Sequence, residues 1–211
     1  MEDRPRRPRR PAMLDPRAAE EIPGDLDPAL RQEVAHTTAG ILVHQGRAAE
    51  DPDMVDRLVR LVETEGLDTV AGLWADSPSN TLPGALWRLY VLREWVRRDP
   101  HTVAERYRLG VARAQVHDVV AGVASPPGPQ DVSRVVDAVL SGVFSADLAV
   151  ALERAAAFCR VLSTGSALDA DLVDDRDGDL ARRITHGASG LVRTAEELED
   201  AARLWRTGVL D

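Results

Sequence analysis

From residue 27 onward, three Asp-Pro pairs constrain this chain more than any other feature: Asp27-Pro28, Asp51-Pro52 and Asp99-Pro100. Proline lacks the N–H that a first helical turn leaves unsatisfied, and its fixed φ already suits that turn. The aspartate before it caps the free N–H groups that follow. Each pair is therefore read as a helix start. After the first, Leu30, Val34, Ile41 and Leu42 keep one apolar side up to Gly46. After the second, Val55, Leu58, Val59 and Val62 do the same up to Gly66. Residues 68–75 read as a short third helix carrying Val70, Leu73 and Trp74.

A cap at Asn80 or Thr81 opens a long helix to about Arg98. Leu89, Leu92 and Val96 form its main stripe, with Val91 and Trp95 beside them, and Leu86, Trp87 and Tyr90 form a second strip. A helix apolar on two sides is expected at the centre of a core, so this one is read as the hub. Beyond it, Val132, Val135, Val136, Val139 and Val143 make one helical stripe. Leu148, Leu152, Ala155, Cys159 and Leu162 follow in alternating steps of four and three, a short seam suited to antiparallel packing. The "STGS" at Ser163–Ser166 reads as the end of that helix, and Thr194-x-x-Glu197 reads as a capping box opening the last one, with Leu198, Ala201, Ala202 and Trp205 on one face.

No stretch alternates with the period of a strand between hairpin turns. Aromatic residues are only 4% of the chain, so the core must be built from Leu, Val and Ala. The fold class is all-α, expected as an orthogonal bundle of about eight or nine helices over residues 28–211. "SPPGPQD" (125–131) cannot continue a helix and marks a possible sub-division. Residues 1–27 read as a disordered arm rich in Pro and Arg. In "PRRPRRP" a polyproline helix would set the prolines along one edge and Arg6, Arg7, Arg9 and Arg10 along the other two.

All 26 basic residues are arginine, as a GC-rich genome produces, and the formal net charge is −9. Residues 1–11 carry five Arg against Glu2 and Asp3, which is +3, leaving −12 for the rest. Such a body repels nucleic acid except where positive charge is concentrated. The single cysteine, Cys159, rules out an internal disulfide and reads as a buried thiol. The arginines of the arm have no apolar h-region behind them and no run is long enough to span a membrane, so a cytoplasmic protein is expected.

Two patterns carry candidate function. In "HTVAERYRLGVARAQVHDVVAG" (101–122), Gly110-Val111-Ala112 suits the turn of a helix-turn-helix, and Val116 and Val119 suit its second helix. Arg113, Gln115 and His117 would then face the major groove, where Arg and Gln read guanine and adenine edges. Against this, Arg106 occupies the position four before the glycine where a small residue is wanted, and Asp118 lies on the reading helix. A plain helical corner is the competing account. The second pattern sets Trp87, Tyr90 and Trp95 among Arg88, Arg93, Arg97 and Arg98. Aromatic residues at helical spacing are commonly core, but Trp, Tyr and Arg are also the residues that anchor protein partners. Trp87, Tyr90, Arg93 and Arg97 are the candidate interaction surface.

No catalytic residue, metal ligand set or cofactor fingerprint is recognisable. With Gly178 at the sixth position of a calcium loop, the acidic run "DADLVDDRDGDL" (169–180) puts Val173 at the first and Ile184 at the twelfth, so two essential oxygens are missing and it reads as a solvated loop before a helix. The five histidines include no pair at metal-binding helical spacing.

"PGALWRLYVLREWVRRDP" and "VARAQVHDVVAGVASPPGPQDV" resemble a family of short actinobacterial all-α proteins, some of whose members are named RNA polymerase β subunit-like. The resemblance spans most of the chain after residue 27. It implies an all-α fold and carries no activity and no catalytic residue with it.

The leading expectation is a non-catalytic cytoplasmic helical protein that binds another protein, or itself as a homodimer, in a regulatory role and without a cofactor. The alternative is a DNA-associated regulator using 101–122, with the arm's arginines on phosphate or in the minor groove. A third reading is an enzyme whose site is assembled from distant residues.

Overall fold

The computed structural model describes residues 27–44, 67–111, 113, 128–145 and 147–211. Expectations for the arm, for the helix after Asp51-Pro52, for Gly46 and for Gln115 and His117 lie outside these residues. The described residues are helical and include no strand: α1 (Pro28–His44), α2 (Leu67–Gly72), α3 (Leu82–Arg98), α4 (Pro100–Val111), α5 (Pro129–Ser145), α6 (Leu148–Asp174) and α7 (Gly178–Arg206). None of these helices is long and apolar enough to cross a membrane.

Capping chemistry accounts for most of the starts. Ala29 N–H donates to Asp27 Oδ1 at 3.0 Å, and Thr102 N–H donates to Asp99 Oδ1 at 3.2 Å. Asp99 also closes α3, its N–H donating to the Trp95 carbonyl. Thr81 caps α3, with Gly84 N–H donating to its hydroxyl. Asp147 and Asp177 cap α6 and α7 through Ala149 and Leu180. Pro129 begins α5 as soon as the 125–131 break allows.

One hydrophobic cluster joins residues from Ala35 to Leu210 and draws on helices from both sides of that break. The buried face of α1 is Ala35, Ala39 and Leu42, with Ile41 and Val43 packed beside it, whereas Leu30 is exposed. The valine stripe of α5 is buried at Val132, Val135, Val136 and Val139, and the α6 seam is buried throughout from Leu148 to Leu162.

Three expectations about helix ends are corrected. "STGS" does not end a helix: α6 runs on to Asp174, because Thr164 Oγ1 turns back to the Arg160 carbonyl and Ser163 Oγ donates across to the Ala188 carbonyl of α7. Thr194 does not cap: it lies mid-way along α7, donating to the Gly190 carbonyl, while Glu197 pairs with Arg88 of α3. The acidic run 169–180 is accordingly helix on both sides of a tight turn at 175–177, not a loop. The reading of α3 as the hub holds. α3 touches each of the other six described helices, and the most extensive single packing is that of α6, which forms a long antiparallel hairpin with α7 and also packs on α4 and α5. The hairpin is tied by a forked pair in which Arg160 Nε and Nη2 donate to the two Glu199 oxygens at 2.7 and 2.6 Å.

α4 crosses α6 at two facing glycines. A Cβ on Gly110 would lie 2.1 Å from the Val161 carbonyl oxygen, and one on Gly165 would lie 1.7 Å from the Arg106 carbonyl oxygen. Tyr107 and Phe158 stack beside the crossing with ring centroids 5.2 Å apart.

Candidate functional site

That crossing decides where Gly110 belongs. The chain does turn after α4, with Arg113 N–H donating to the Gly110 carbonyl. Gly110 and Val111 are nevertheless helical, and the glycine is demanded by α6 against its face, not by the turn. Arg106, the large residue where a helix-turn-helix wants a small one, reaches sideways to Asp169 of α6, Nε to Oδ2 at 3.0 Å. Arg113 is exposed at the turn.

The candidate surface on α3 divides in two. Tyr90 and Arg93 are committed within the chain. The Tyr90 hydroxyl donates to Asp68 Oδ1 at 2.8 Å, and burial together with that bond pushes it up to about 12. Arg93 donates to Asp137 at 2.8 Å and to Glu94 at 3.0 Å. Arg97 is exposed. Trp87 is half-buried and stacks on Tyr90 with ring centroids 5.5 Å apart. Val91, on the outer side, is 44% exposed.

Between α3 and α7 runs a groove. Its apolar end, about 300 Å3, is walled by Trp87, Val91, Leu92, Trp95 and Leu191, with the Arg88–Glu197 ion pair across it. Its basic end, about 500 Å3, is shaped by all four of α3, α4, α6 and α7: Trp95, Arg106, Ser166, Arg183 and Arg193 line it, and no acidic residue does. Trp95, Leu191 and Thr194 are shared by the two ends. Arg183 and Arg193 form no ion pair with any described residue. On a chain of net charge −9 this is a local concentration of positive charge.

Sequence reasoning placed Trp95 beside a stripe and passed over Arg106, Ser166, Arg183 and Arg193 as site residues. The one local signal was "HGASG" in α7, two glycines three apart inside a strongly helical pattern.

Among the described residues no group of three or more His, Cys, Asp or Glu could hold a metal ion. Cys159 is wholly buried, and desolvation pushes its thiol up to about 12, so it is not a nucleophile at neutral pH. The chain matches no protein-family model, no curated protein and no solved structure.

Proposed function

We propose that this is a non-catalytic cytoplasmic helical protein that works by binding another protein, in a regulatory capacity, through the groove between α3 and α7. The observation that carries the reading is the groove's composition. Half-buried indoles at Trp87 and Trp95 and an exposed Val91 meet a basic end whose arginines Arg183 and Arg193 have no partner among the described residues. Aromatic and arginine side chains around a concave apolar surface are the residues that dominate protein interfaces. The occupant that suits this surface is a polypeptide segment placing an apolar side chain between Trp87 and Trp95 and carboxylates toward the arginines. Tyr90 stacks on Trp87 and supports that end of the wall. The remaining helical signals, at Asp51-Pro52 above all, bring the full bundle to eight or nine helices in an orthogonal arrangement.

The test is photo-cross-linking from position 91 in cells of the native host, with the same probe at exposed Leu172 as the control. The reading expects a discrete adduct with one other protein at position 91 and not at 172. The purified pair should then dissociate at least ~10-fold more readily when Trp95→Ala removes an anchor of the hot-spot kind. An adduct of twice the chain's mass would identify self-association instead. No adduct specific to position 91 would overturn the reading.

Exposed Arg113, two residues past the end of α4, keeps a second reading on the page: a DNA-associated regulator using Arg113, Gln115 and His117 with Arg6, Arg7, Arg9 and Arg10 on phosphate. It expects duplex binding that weakens steeply with salt and falls with Arg113→Ala plus Gln115→Ala. Absence of duplex binding at low salt would remove it.

A further inference from the structure

Inside the helices the glycines are of two kinds: Gly84, Gly110 and Gly165 lie against backbone, whereas Gly40, Gly187 and Gly190 face space where a Cβ would meet nothing described, and of these three only Gly187 and Gly190 line a cleft. Gly110 and Gly165 sit where a Cβ would collide with backbone. Gly187 and Gly190 sit mid-way along α7, and a Cβ at either would meet nothing within 4 Å. Glycine inside a helix weakens it relative to alanine, so at these two positions no described packing within the chain accounts for it. Both glycines face the basic end of the groove, on the same side of α7 as Arg183 and Thr194, in steps of four, three and four. They leave bare helix backbone as one wall of the cleft.

A second, independent observation lies on the opposite wall. Ser166 is 2% exposed, yet its hydroxyl has no hydrogen-bond partner among the described residues, whereas its neighbours Ser163 and Thr164 both do. No fully enclosed side-chain oxygen or nitrogen of the described residues lacks a partner, so the Ser166 hydroxyl opens to the cleft it lines. The hydroxyl is thus an uncommitted donor at the floor of the cleft, on a side chain otherwise fixed by its burial.

We infer that the basic end of the groove is a binding site for a small organic oxyanion, a carboxylate or phosphate borne on a planar ring. The volume, about 500 Å3, is that of a small-molecule pocket. The ring lies between the Trp95 indole and the bare backbone at Gly187 and Gly190, where a side chain on α7 would exclude it. The oxyanion accepts from Arg183 and Arg193, whose planar forks match carboxylate and phosphate geometry. Ser166 donates its hydroxyl from the floor. Arg106, held by Asp169, offers its remaining guanidinium N–H donors without having to be ordered on binding. The site shares Trp95, Arg183 and Arg193 with the protein-binding reading, which further needs Trp87 and Val91 at the apolar end; the cross-link from position 91 tests that reading and the titration below tests this one.

The experiment is calorimetric titration of the full chain with phenyl phosphate, benzoate, inorganic phosphate and benzyl alcohol. The expected result is saturable binding of at least one aryl oxyanion with Kd of about 1 mM or tighter. Benzyl alcohol and inorganic phosphate should each bind at least ~10-fold more weakly, since each lacks one of the two groups the cleft recognises. Comparison of benzoate with phenyl phosphate tells carboxylate from phosphate. Gly187→Leu should fold with an undiminished melting temperature, because its side chain enters open space, and should abolish binding. Ser166→Ala and Arg183→Gln should each weaken it. Absence of binding by both aryl oxyanions overturns the inference, as does equal binding of benzyl alcohol, or binding unchanged by Gly187→Leu in a protein shown by circular dichroism to be folded.

Discussion

At Gly110 and Gly165 the fold leaves no room for a methyl group. The distances from an ideal Cβ to backbone oxygen, 2.1 and 1.7 Å, cannot be relieved by rotating a side chain, because the obstructing atoms belong to the main chain of the facing helix. Gly110→Ala and Gly165→Ala should therefore each destabilise the protein by ~3 kcal/mol or more, at the upper end of what overpacking costs. Denaturant unfolding followed by circular dichroism measures it; a loss below that of an ordinary surface substitution would mean the two helices do not meet there. Cys159 makes a second residue-scale prediction. With its thiol buried and pushed up to about 12, it should resist a thiol reagent at mildly alkaline pH, and its labelling should track unfolding. Rapid labelling of the folded protein would contradict the packing of α6.

The helices show which punctuation is readable locally. Asp27, Asp99 and Thr81 cap as expected, because a cap is chemistry between residues two or three apart. The Ser163–Ser166 stretch and Thr194-x-x-Glu197 misled for the opposite reason. Serine, threonine and glycine also serve inside helices, by bonding back to the preceding turn or by letting another helix approach, and only the neighbouring helix decides which. Asp99 makes the element-scale prediction. Hydrogen bonds from Thr102 hold its carboxyl below the ordinary value near 3.8. A carboxyl depressed on folding stabilises above its unfolded pKa, and that stability is lost as pH falls through the lower folded value. Asp99→Ala should then cost about 1 kcal/mol at pH 7, as lost N-caps do, and the difference from the unsubstituted chain should shrink in acid below about pH 4. A difference that stays constant down to pH 2 would show that the carboxylate is not the cap.

For the molecule as a whole, the all-α class was legible because residues 28–211 contain helix starts and stripes and no strand alternation. The groove was not, because its residues come from four helices. Trp95, Arg106, Ser166 and Arg183 are separated by 11, 60 and 17 positions along the chain, and no spacing rule joins them. Trp87, Tyr90, Arg93 and Arg97 pointed to the right helix, yet Tyr90 and Arg93 are tied to Asp68 and Asp137, and the more open wall is made by Val91 and Trp95. The central claim is that the α7 face carrying Gly187 and Gly190 is kept bare for something other than the described packing. Its most direct test is the unfolding free energy of Gly187→Ala plus Gly190→Ala by denaturant titration. The account predicts a protein more stable by roughly 1–2 kcal/mol, the helix propensity that two interior glycines forgo. A protein less stable than the original would mean that the glycines serve the fold, and the groove would lose its claim to be a site.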